Sequence, residues 1–298
     1  MLFRSLGTAT PSIMSAYRVS CGEYEELRMM KRHNDTPLPA VEIVDMRKEL
    51  MQGNRSIFSA SLVKHTQDVL SGGRQVIFFL NRRGYSSFVS CRKCGYVMKC
   101  DTCGVSLTYH KSSGMAECHY CGRKIKVPSV CPSCNGKYIK HFGVGTEQVE
   151  EFTHEIFPDY TVDRLDMDTT ARKGSAERIL NDFKKGKTHI LVGTQLVAKG
   201  LDFADVGLVG IIAADITLNI PDYRSAERTF QLIVQSAGRA GRGGEQGYVV
   251  IQTYSPEENA VKEAARGNFD NFYKNEIRVR KLSGYPPFTN SLDRKSVV

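Results

Sequence analysis

What this 298-residue sequence lacks is the first guide to its class. No uninterrupted apolar run approaches the roughly 18 residues of a membrane-spanning helix. The longest apolar run, residues 206–214, is interrupted by Gly207 and Gly210. No basic, apolar and small-residue start marks a signal peptide. Hydrophobic residues make up 41% and charged residues 24%, which is ordinary globular usage. We therefore expect a folded protein of about two domains that is neither membrane-spanning, secreted nor fibrous.

Eight of the nine cysteines form Cys-x-x-Cys pairs. The pairs are Cys91/Cys94, Cys100/Cys103, Cys118/Cys121 and Cys131/Cys134. A chain of this length does not need disulfides to hold its core, and without a secretion signal it is expected in a reducing compartment. Two residues between thiolates allow one knuckle to place both sulfurs on one ion, and two knuckles complete a tetrahedral structural site. The sequence therefore predicts two zinc ions, with all eight cysteines as ligands.

The spacing of the pairs favours a nested arrangement without fixing it. Between Cys103 and Cys118 the sequence is typical of a hairpin that turns at residues 112–114, as in a zinc ribbon. The middle pairs would then share one ion (Cys100, Cys103, Cys118, Cys121), and the outer pairs the other (Cys91, Cys94, Cys131, Cys134). His110 and His119 are surplus to two such sites and are expected at the surface. Cys21 is expected to be a small core residue.

Positive charge is concentrated around these cysteines. The formal net charge is +9, and residues 91–140 hold nine Lys or Arg against two Asp or Glu. Eight thiolates and two zinc ions lower the net charge of the folded chain to about +5. Tyrosines are interleaved with the basic residues, at Tyr96, Tyr109, Tyr120 and Tyr138. Such a surface suits single-stranded nucleic acid, and it equally suits the solvated face of a protein-docking module.

Outside the cysteine block, short apolar runs alternate with amphipathic segments. Strands are predicted at residues 41–44, 75–80, 161–165, 189–192, 207–213 and 248–252. Helices are predicted at residues 59–70, 146–157, 175–185 and 225–236, with a long helix starting at Glu257. Strands separated by helices pair in parallel, so we expect an α/β layered fold. The cysteine block interrupts the alternation and is expected to be an insertion.

Two apparent nucleotide motifs each lack a required part. Gly186-Lys187-Thr188 resembles the end of a P-loop, but the motif's leading glycine is missing. The tripeptide also joins the end of a helix to a strand, whereas a P-loop needs the reverse order. Asp215 follows an apolar strand as a Walker B aspartate does, but Ile216 stands where the second acid belongs. The sequence therefore holds no self-sufficient site for a nucleoside triphosphate.

The informative motifs follow strands or end a helix. Gly193-Thr194-Gln195 and residues 199–203 resemble motif V of superfamily 2 helicases, and residues 7–12 resemble motif III. That family's motif VI is Q-x-x-G-R-x-x-R, and the matching residues are Gln235, Gly238, Arg239 and Arg242. Further stretches resemble the bacterial replication-restart helicases within this family, at residues 81–85, 143–147, 166–169, 221–228 and 285–288.

The resemblance implies a RecA-like second helicase lobe, a parallel sheet flanked by helices, with an inserted two-zinc, ribbon-like module. The expected parts are the end of lobe 1 and a linker (1–40), lobe 2 (41–88 and 141–282), the zinc insertion (89–140) and the start of a C-terminal domain (283–298). Because the Walker A and B motifs are missing, we expect an internal fragment. Residues 1–5 and 293–298 are expected to be sequencing-adapter read-through, the alternative being ordinary disordered tails.

The resemblance also implies roles for single residues. In such motors ATP with Mg²⁺ binds between two lobes, and the second lobe supplies charge to the γ-phosphate. Arg242 is expected to be the arginine finger, and Arg239 to touch phosphate or orient the finger. The other nucleotide-facing positions are Lys199, Gly200, Asp202 and Gln235, the last of which would couple the lobes. Thr194 is expected to hold a DNA phosphate, a contact that ignores base identity.

At the level of the whole protein, the resemblance implies an ATP-dependent 3′→5′ DNA helicase that restarts replication at stalled forks and loads the primosome. Its partners would be forked DNA, primosome proteins and single-strand-binding protein, in the bacterial cytoplasm with the nucleoid. This chain alone is expected to be inactive. The alternative is a non-enzymatic zinc-ribbon protein that binds nucleic acid and carries a degenerate lobe. Intact Asp202, Arg239 and Arg242 favour the helicase, because a binding module has no need of an arginine finger.

Overall fold

The computed structural model describes residues 5–29, 37–80, 87–141, 143–171, 174–194, 203–241 and 245–290. Its strands are β1 (Ala40–Asp45), β2 (Gln75–Phe79), β3 (Ser87–Cys91), β4 (Thr108–His110), β5 (Met115–Glu117), β6 (Lys124–Lys126), β7 (Ile139–His141), β8 (Val162–Leu165), β9 (Ile190–Gly193), β10 (Val206–Ile211) and β11 (Tyr248–Thr253). Its helices are α1 (Ile13–Ser20), α2 (Met46–Met51), α3 (Ala60–Ser71), α4 (Thr146–Ile156), α5 (Ser175–Lys184), α6 (Asp215–Leu218), α7 (Ser225–Ala237), α8 (Asn259–Ala265) and α9 (Phe269–Leu282).

Six strands form a wholly parallel sheet in the order β1-β11-β10-β2-β9-β8. Every residue of β2, β9 and β10 is buried, as expected of parallel strands that are covered on both faces. Alternate side chains of one strand enter two different cores: Ile77 and Phe79 face one, Val76 and Phe78 the other. Helices α5, α7, α8 and α9 pack on the first core and α2, α3 and α4 on the second. The predicted α/β fold with helices on both faces is confirmed.

Local sequence explains where α3 and α9 begin. The Ser59 hydroxyl accepts a hydrogen bond from the backbone N–H of Leu62 (3.1 Å) and so caps α3, close to where the sequence predicts a helix to begin. The single long helix predicted from Glu257 is wrong, because the chain forms α8 and α9 instead. Between them Gly267 adopts a left-handed φ of +64°, and the Asn268 side chain then caps the start of α9.

The cysteine block forms a second, antiparallel sheet that departs from the parallel sheet after β2 and returns at α4. Its five strands lie in the order β6-β5-β4-β3-β7. Strands β4 and β5 are the hairpin expected between Cys103 and Cys118, and Gly114 in its turn has a φ of +66°. This sheet has its own small core, which includes Val89, Leu107 and Ala116 together with buried cysteines. We refer to residues 87–141 as the zinc module.

Two further observations bear on the sequence predictions. The placement of Cys21 in the core was wrong: this residue follows the last turn of α1 and is exposed. Helix α1 has eight residues and buries one side chain, Ile13. Cys21, at the end of this helix, is therefore exposed to solvent. Among the described residues, no helix combines the length and the apolar character that crossing a bilayer requires.

Candidate metal centre and helicase motifs

The four Cys-x-x-Cys pairs adopt the same turn. In each, the residue after the second cysteine donates its backbone N–H to the carbonyl of the first, at 2.7–2.9 Å. Those four residues all have positive φ: Gly95 (78°), Gly104 (68°), Gly122 (76°) and Asn135 (55°). Glycine adopts this left-handed conformation without a steric cost, and asparagine tolerates it better than most residues do. A Gly or Asn directly after each pair was therefore a sequence signal for four knuckles that the sequence analysis did not use.

The knuckles bring eight sulfurs into two tetrads. The outer tetrad is Cys91, Cys94, Cys131 and Cys134, and the inner tetrad is Cys100, Cys103, Cys118 and Cys121. Within each tetrad all sulfurs lie within 4.8 Å of one another, and this is the nested arrangement inferred from spacing. Three sulfur pairs are 3.7 Å apart. A tetrahedral ion with Zn–S bonds of about 2.3 Å needs about 3.8 Å between sulfurs, so both donor sets fit zinc.

Without a cation the thiols of each tetrad hold unequal affinities for protons. Burial raises the pKa of Cys91 to about 12, whereas the backbone N–H of Gly136 lowers the pKa of Cys134 to about 7. In the inner tetrad the neighbouring Cys121 sulfur raises the pKa of Cys103 to about 12, and the N–H of Cys103 lowers the pKa of Cys100 to about 7. Four thiolates at this distance need a compensating cation, which a structural zinc ion supplies.

The zinc module also contains two histidines, His110 and His119. His119 is exposed and His110 half-buried, and neither belongs to a tetrad. Their rings meet edge to face at 5.3 Å, and His110 lies 3.9 Å from Glu117. His119 is therefore a surface group as expected, whereas His110 is partly covered; neither is a ligand in a tetrad of four cysteines.

Helix α7 contains Gln235, the first motif VI residue, and contacts the N-terminal segment along one face. Glu227, Gln231 and Gln235 are four residues apart and so lie on the same side of the helix. Gln235 Nε2 donates to the Thr10 hydroxyl (2.9 Å), and Gln231 Nε2 to the Thr10 carbonyl (3.4 Å). Glu227 accepts the backbone N–H of Ile13 (3.0 Å). The segment that resembles motif III is thus seated on the helix that ends in motif VI.

The end of motif VI is shaped by glycine. A side-chain carbon at Gly241, whose φ is +74°, would lie 2.5 Å from the backbone nitrogen of Gly247. The Gly241 N–H donates to the carbonyl of Val206, the first residue of β10 (3.0 Å). Arg239 is half-buried, directly after the helix terminus at Gly238. Arg242, the predicted arginine finger, lies outside the described residues, as do Lys199, Gly200 and Asp202.

Thr194 lies at the carboxyl end of β9, half-buried. Its own N–H donates to the Leu165 carbonyl (3.3 Å) and is therefore already bound within the sheet. The neighbouring strand β2 ends beside it, because the Leu80 N–H donates to the Gly193 carbonyl (2.9 Å). The chain leaves the parallel sheet for the zinc module at this same edge, where ligands of parallel sheets usually bind.

The two apparent nucleotide motifs have structural roles. Gly186 and Lys187 join the end of α5 to β9, and the Thr188 hydroxyl donates to Asp163. Asp215 is fully buried, where burial raises the pKa of its carboxyl group. Its carboxylate accepts the Thr253 hydroxyl (3.0 Å) and the Tyr254 N–H (3.0 Å). Asp215 therefore ties the ends of β10 and β11 together.

The fold and the order of its motifs define the class of protein. Residues 133–244 match the model of the helicase conserved C-terminal domain, and residues 100–126 match the PriA DNA helicase Cys-rich region. The parallel sheet with its zinc module is therefore a RecA-like helicase lobe.

Curated relatives narrow the class to one family. Over 95% of the chain it is 48% identical to replication restart protein PriA of Bacillus subtilis, 46% to that of Synechocystis and 41% to that of Treponema pallidum. The chain belongs to the family of replication restart protein PriA. It spans 35% of the Bacillus and Synechocystis proteins and 42% of the Treponema protein.

Proposed function

We propose that this chain forms the second motor lobe and the zinc module of an ATP-dependent 3′→5′ DNA helicase that restarts replication at stalled forks. The relatives that match 95% of the chain carry the name of replication restart proteins. The observation that carries the proposal is the contact of Gln235 with Thr10, because it joins the motif III and motif VI segments of a two-lobed motor. Loading of the primosome and contact with single-strand-binding protein belong to the same proposal, as does a cytoplasmic site of action on the nucleoid.

For the nucleotide, we propose that the chain completes a cleft whose other wall is the first lobe. ATP with Mg²⁺ would supply the phosphoryl group that is cleaved there. Arg242 would place a planar guanidinium against the γ-phosphate. Arg239 would either touch phosphate or orient Arg242. Lys199, Gly200 and Asp202 would line the nucleotide side of the cleft, and Gln235 would couple the two lobes. The tight Gly241–Gly247 approach supports this proposal, because it holds the turn that leads into Arg242.

For DNA, we propose that the strand lies along the edge where β2 and β9 end. Thr194 would bind one phosphate there, and the zinc module next to it would add cations and aromatic faces. Lys93, Lys99, Lys137 and Lys140 are exposed on the module, as are Tyr120 (56%) and Tyr138 (42%). Phosphate contacts of this kind make affinity depend on salt and leave base identity unread.

The test uses a longer chain that also carries the first lobe. Arg242→Ala should abolish DNA-stimulated ATP turnover while zinc content, folding and most DNA affinity persist, because the guanidinium acts mainly in the transition state. We expect a loss of about 10³-fold or more in kcat. Arg242→Lys should rescue poorly, since an ammonium lacks the bidentate fork.

Arg266→Ala is the matched control, because this arginine of the same lobe is 68% exposed and pairs with Glu263 alone in the described structure. Steady-state ATPase with saturating forked DNA and binding titrations at fixed salt are the measurements. An Arg242→Ala variant that keeps the kcat of wild type would overturn the arginine-finger assignment. Absence of any DNA-stimulated turnover in the wild-type longer chain would favour the alternative, a nucleic-acid-binding zinc protein with a degenerate lobe.

A further inference from the structure

The first knuckle of the outer tetrad, Cys91–Gly95, lies directly against the helicase lobe. A side-chain carbon built at Gly95 would meet the Tyr254 carbonyl oxygen at 2.5 Å, closer than real contacts allow. Arg92, inside the same knuckle, donates from Nε to the Tyr254 hydroxyl (2.8 Å), and its guanidinium lies 5.7 Å from the centre of that ring. One turn of the zinc module therefore contacts Tyr254 twice, with Gly95 packed against its carbonyl group and Arg92 bound to its hydroxyl.

Tyr254 in turn holds the segment that leads into the motif VI helix. Its N–H donates to Asp215, which is buried at the start of α6. Ala213, which precedes Asp215 in the chain, has a φ of +80°. This conformation costs a non-glycine residue about 1–3 kcal/mol and persists only when its surroundings impose it. The chain then runs through Pro221 to the start of α7. We call residues 213–224 the connecting segment.

The zinc module touches the connecting segment a second time, near its other end. The Tyr120 hydroxyl, in a knuckle of the inner tetrad, lies 3.5 Å from the Pro221 carbonyl oxygen. The module therefore reaches the connecting segment from both tetrads, through Tyr254 and Asp215 at one end and directly at the other.

We infer that the outer zinc knuckle is a positioning element for the motif VI helix: the contact of Gly95 and Arg92 with Tyr254 fixes the connecting segment and hence the start of α7. This deepens the proposed function, since α7 ends at the arginines assigned to the nucleotide. The zinc ion is the reason that the knuckle can carry this role, because closing the outer tetrad fixes the turn that presents Gly95 and Arg92. The module is thereby a part of the motor as well as a surface for DNA.

A comparison among the knuckles separates this role from simple turn formation. Gly95, Gly104 and Gly122 occupy the same place in three knuckles and share a φ of 68–78°. Around Gly104 and Gly122 an added side-chain carbon meets nothing within 4 Å, whereas at Gly95 it meets Tyr254. The three positions share the backbone requirement, and the contact with the lobe is what distinguishes Gly95.

The experiment compares Gly95→Ala with the matched control Gly104→Ala in the 298-residue chain. Both strain one knuckle alike, so zinc content is measured first and two ions are expected in each. Hydrogen–deuterium exchange is then followed at Tyr254 and across residues 213–224. Loss of about one hydrogen bond's worth of local protection should speed exchange there about two- to tenfold in Gly95→Ala. The control Gly104→Ala should leave these amides at wild-type rates.

A second variant protects the test against misfolding of Gly95→Ala. Tyr254→Phe keeps the ring and the metal ligands but removes the hydroxyl that binds Arg92. It should also speed exchange across residues 213–224, with both zinc ions retained. Equal exchange in Gly95→Ala and Gly104→Ala, or wild-type exchange in Gly95→Ala and Tyr254→Phe with zinc in place, overturns the positioning role. A wild-type chain that binds no zinc would instead contradict the zinc assignment itself, so the two failures are distinguishable.

Discussion

At the scale of single residues, Glu227 is a buried acid with two partners. The residue is 7% exposed, and its carboxylate accepts the Ile13 N–H and pairs with Arg280 at 2.7 Å. Arg280, 2% exposed, also binds Glu276 at 2.9 Å. Burial raises the pKa of Glu276, so the arginine stabilises two carboxylates that have little access to water. One ion network thus fastens α7, α9 and the N-terminal segment.

We predict that Glu227→Ala lowers the free energy of unfolding by about 3 kcal/mol or more, because it leaves a buried guanidinium short of a partner and a buried N–H without an acceptor. Glu227→Gln should cost less, since its amide oxygen can still accept from Ile13. Glu155→Ala, on the exposed face of α4, is the control and should change stability by less than about 0.5 kcal/mol. Urea unfolding measures all three. A loss for Glu227→Ala no larger than that of Glu155→Ala would show that the network is energetically neutral.

At the scale of elements, Asp166 joins the end of β8 to the start of α4. Burial raises its pKa, but the Thr146 hydroxyl (2.6 Å), the Thr169 N–H (2.9 Å) and the Arg164 guanidinium (2.8 Å) lower it by more, so the net pKa lies below its usual value. The folded chain therefore gives up this proton more readily than the unfolded chain does. The stability that results is complete above the unfolded pKa of about 3.9 and is lost as the pH falls through the lower folded value.

We predict that Asp166→Asn lowers stability by about 1.5–3 kcal/mol at pH 7, the usual contribution of hydrogen bonds to a charged group. The gap between wild type and variant should narrow as the pH falls below about 4, because wild type then protonates as well. Asp168→Asn, at the exposed neighbour, serves as the control. Unfolding curves between pH 3 and pH 7 are the measurement, and a gap that stays constant over this range would contradict the assignment.

The zinc module is an element whose stability should depend on metal. We predict two zinc ions per chain, and local unfolding of residues 89–140 on chelation while the parallel sheet persists, because structural zinc contributes about 10–16 kcal/mol in small zinc peptides. Cys91→Ser should reduce the content to one ion, and Cys21→Ser, at an exposed cysteine outside the tetrads, should keep both. Metal analysis and hydrogen exchange decide the matter. One ion or none in a fully reduced wild-type chain is the contrary result.

At the scale of the whole molecule, the proposed function gives the chain one wall of a nucleotide cleft. We predict that the 298 residues alone hydrolyse ATP no faster than background. Gly186-Lys187-Thr188 leads from a helix into a strand, whereas a P-loop leads from a strand into a helix. The Asp215 carboxylate is already bound to Thr253 and Tyr254. The assay is DNA-stimulated phosphate release by the purified chain. Turnover that Arg242→Ala abolishes would prove that the activity belongs to this chain and the prediction is wrong.

Much of this molecule follows from local sequence. The strands β2, β9 and β10 are short apolar runs, and their burial on both faces is what such runs predict. The four knuckles follow from Cys-x-x-Cys spacing with a following Gly or Asn. The predictions for Cys21 and for one helix from Glu257 are wrong, because a lone cysteine has no periodic pattern to place it and because Gly267 and Asn268 end one helix and start the next.

What the sequence by itself determined is the set of elements: a parallel α/β sheet, four knuckles and a helix that ends in the motif VI pattern. The strands and helices follow from hydrophobic periodicity, and the knuckles and motif VI follow from residue spacings of a few positions. What the tertiary structure alone decided is which elements touch. Gly95 of the zinc module lies against Tyr254 of the helicase lobe, and Glu227 contacts both Ile13 and Arg280. Such contacts join residues separated by 53 to 214 positions, and no local pattern encodes them, because they arise only when the chain's path brings two surfaces together.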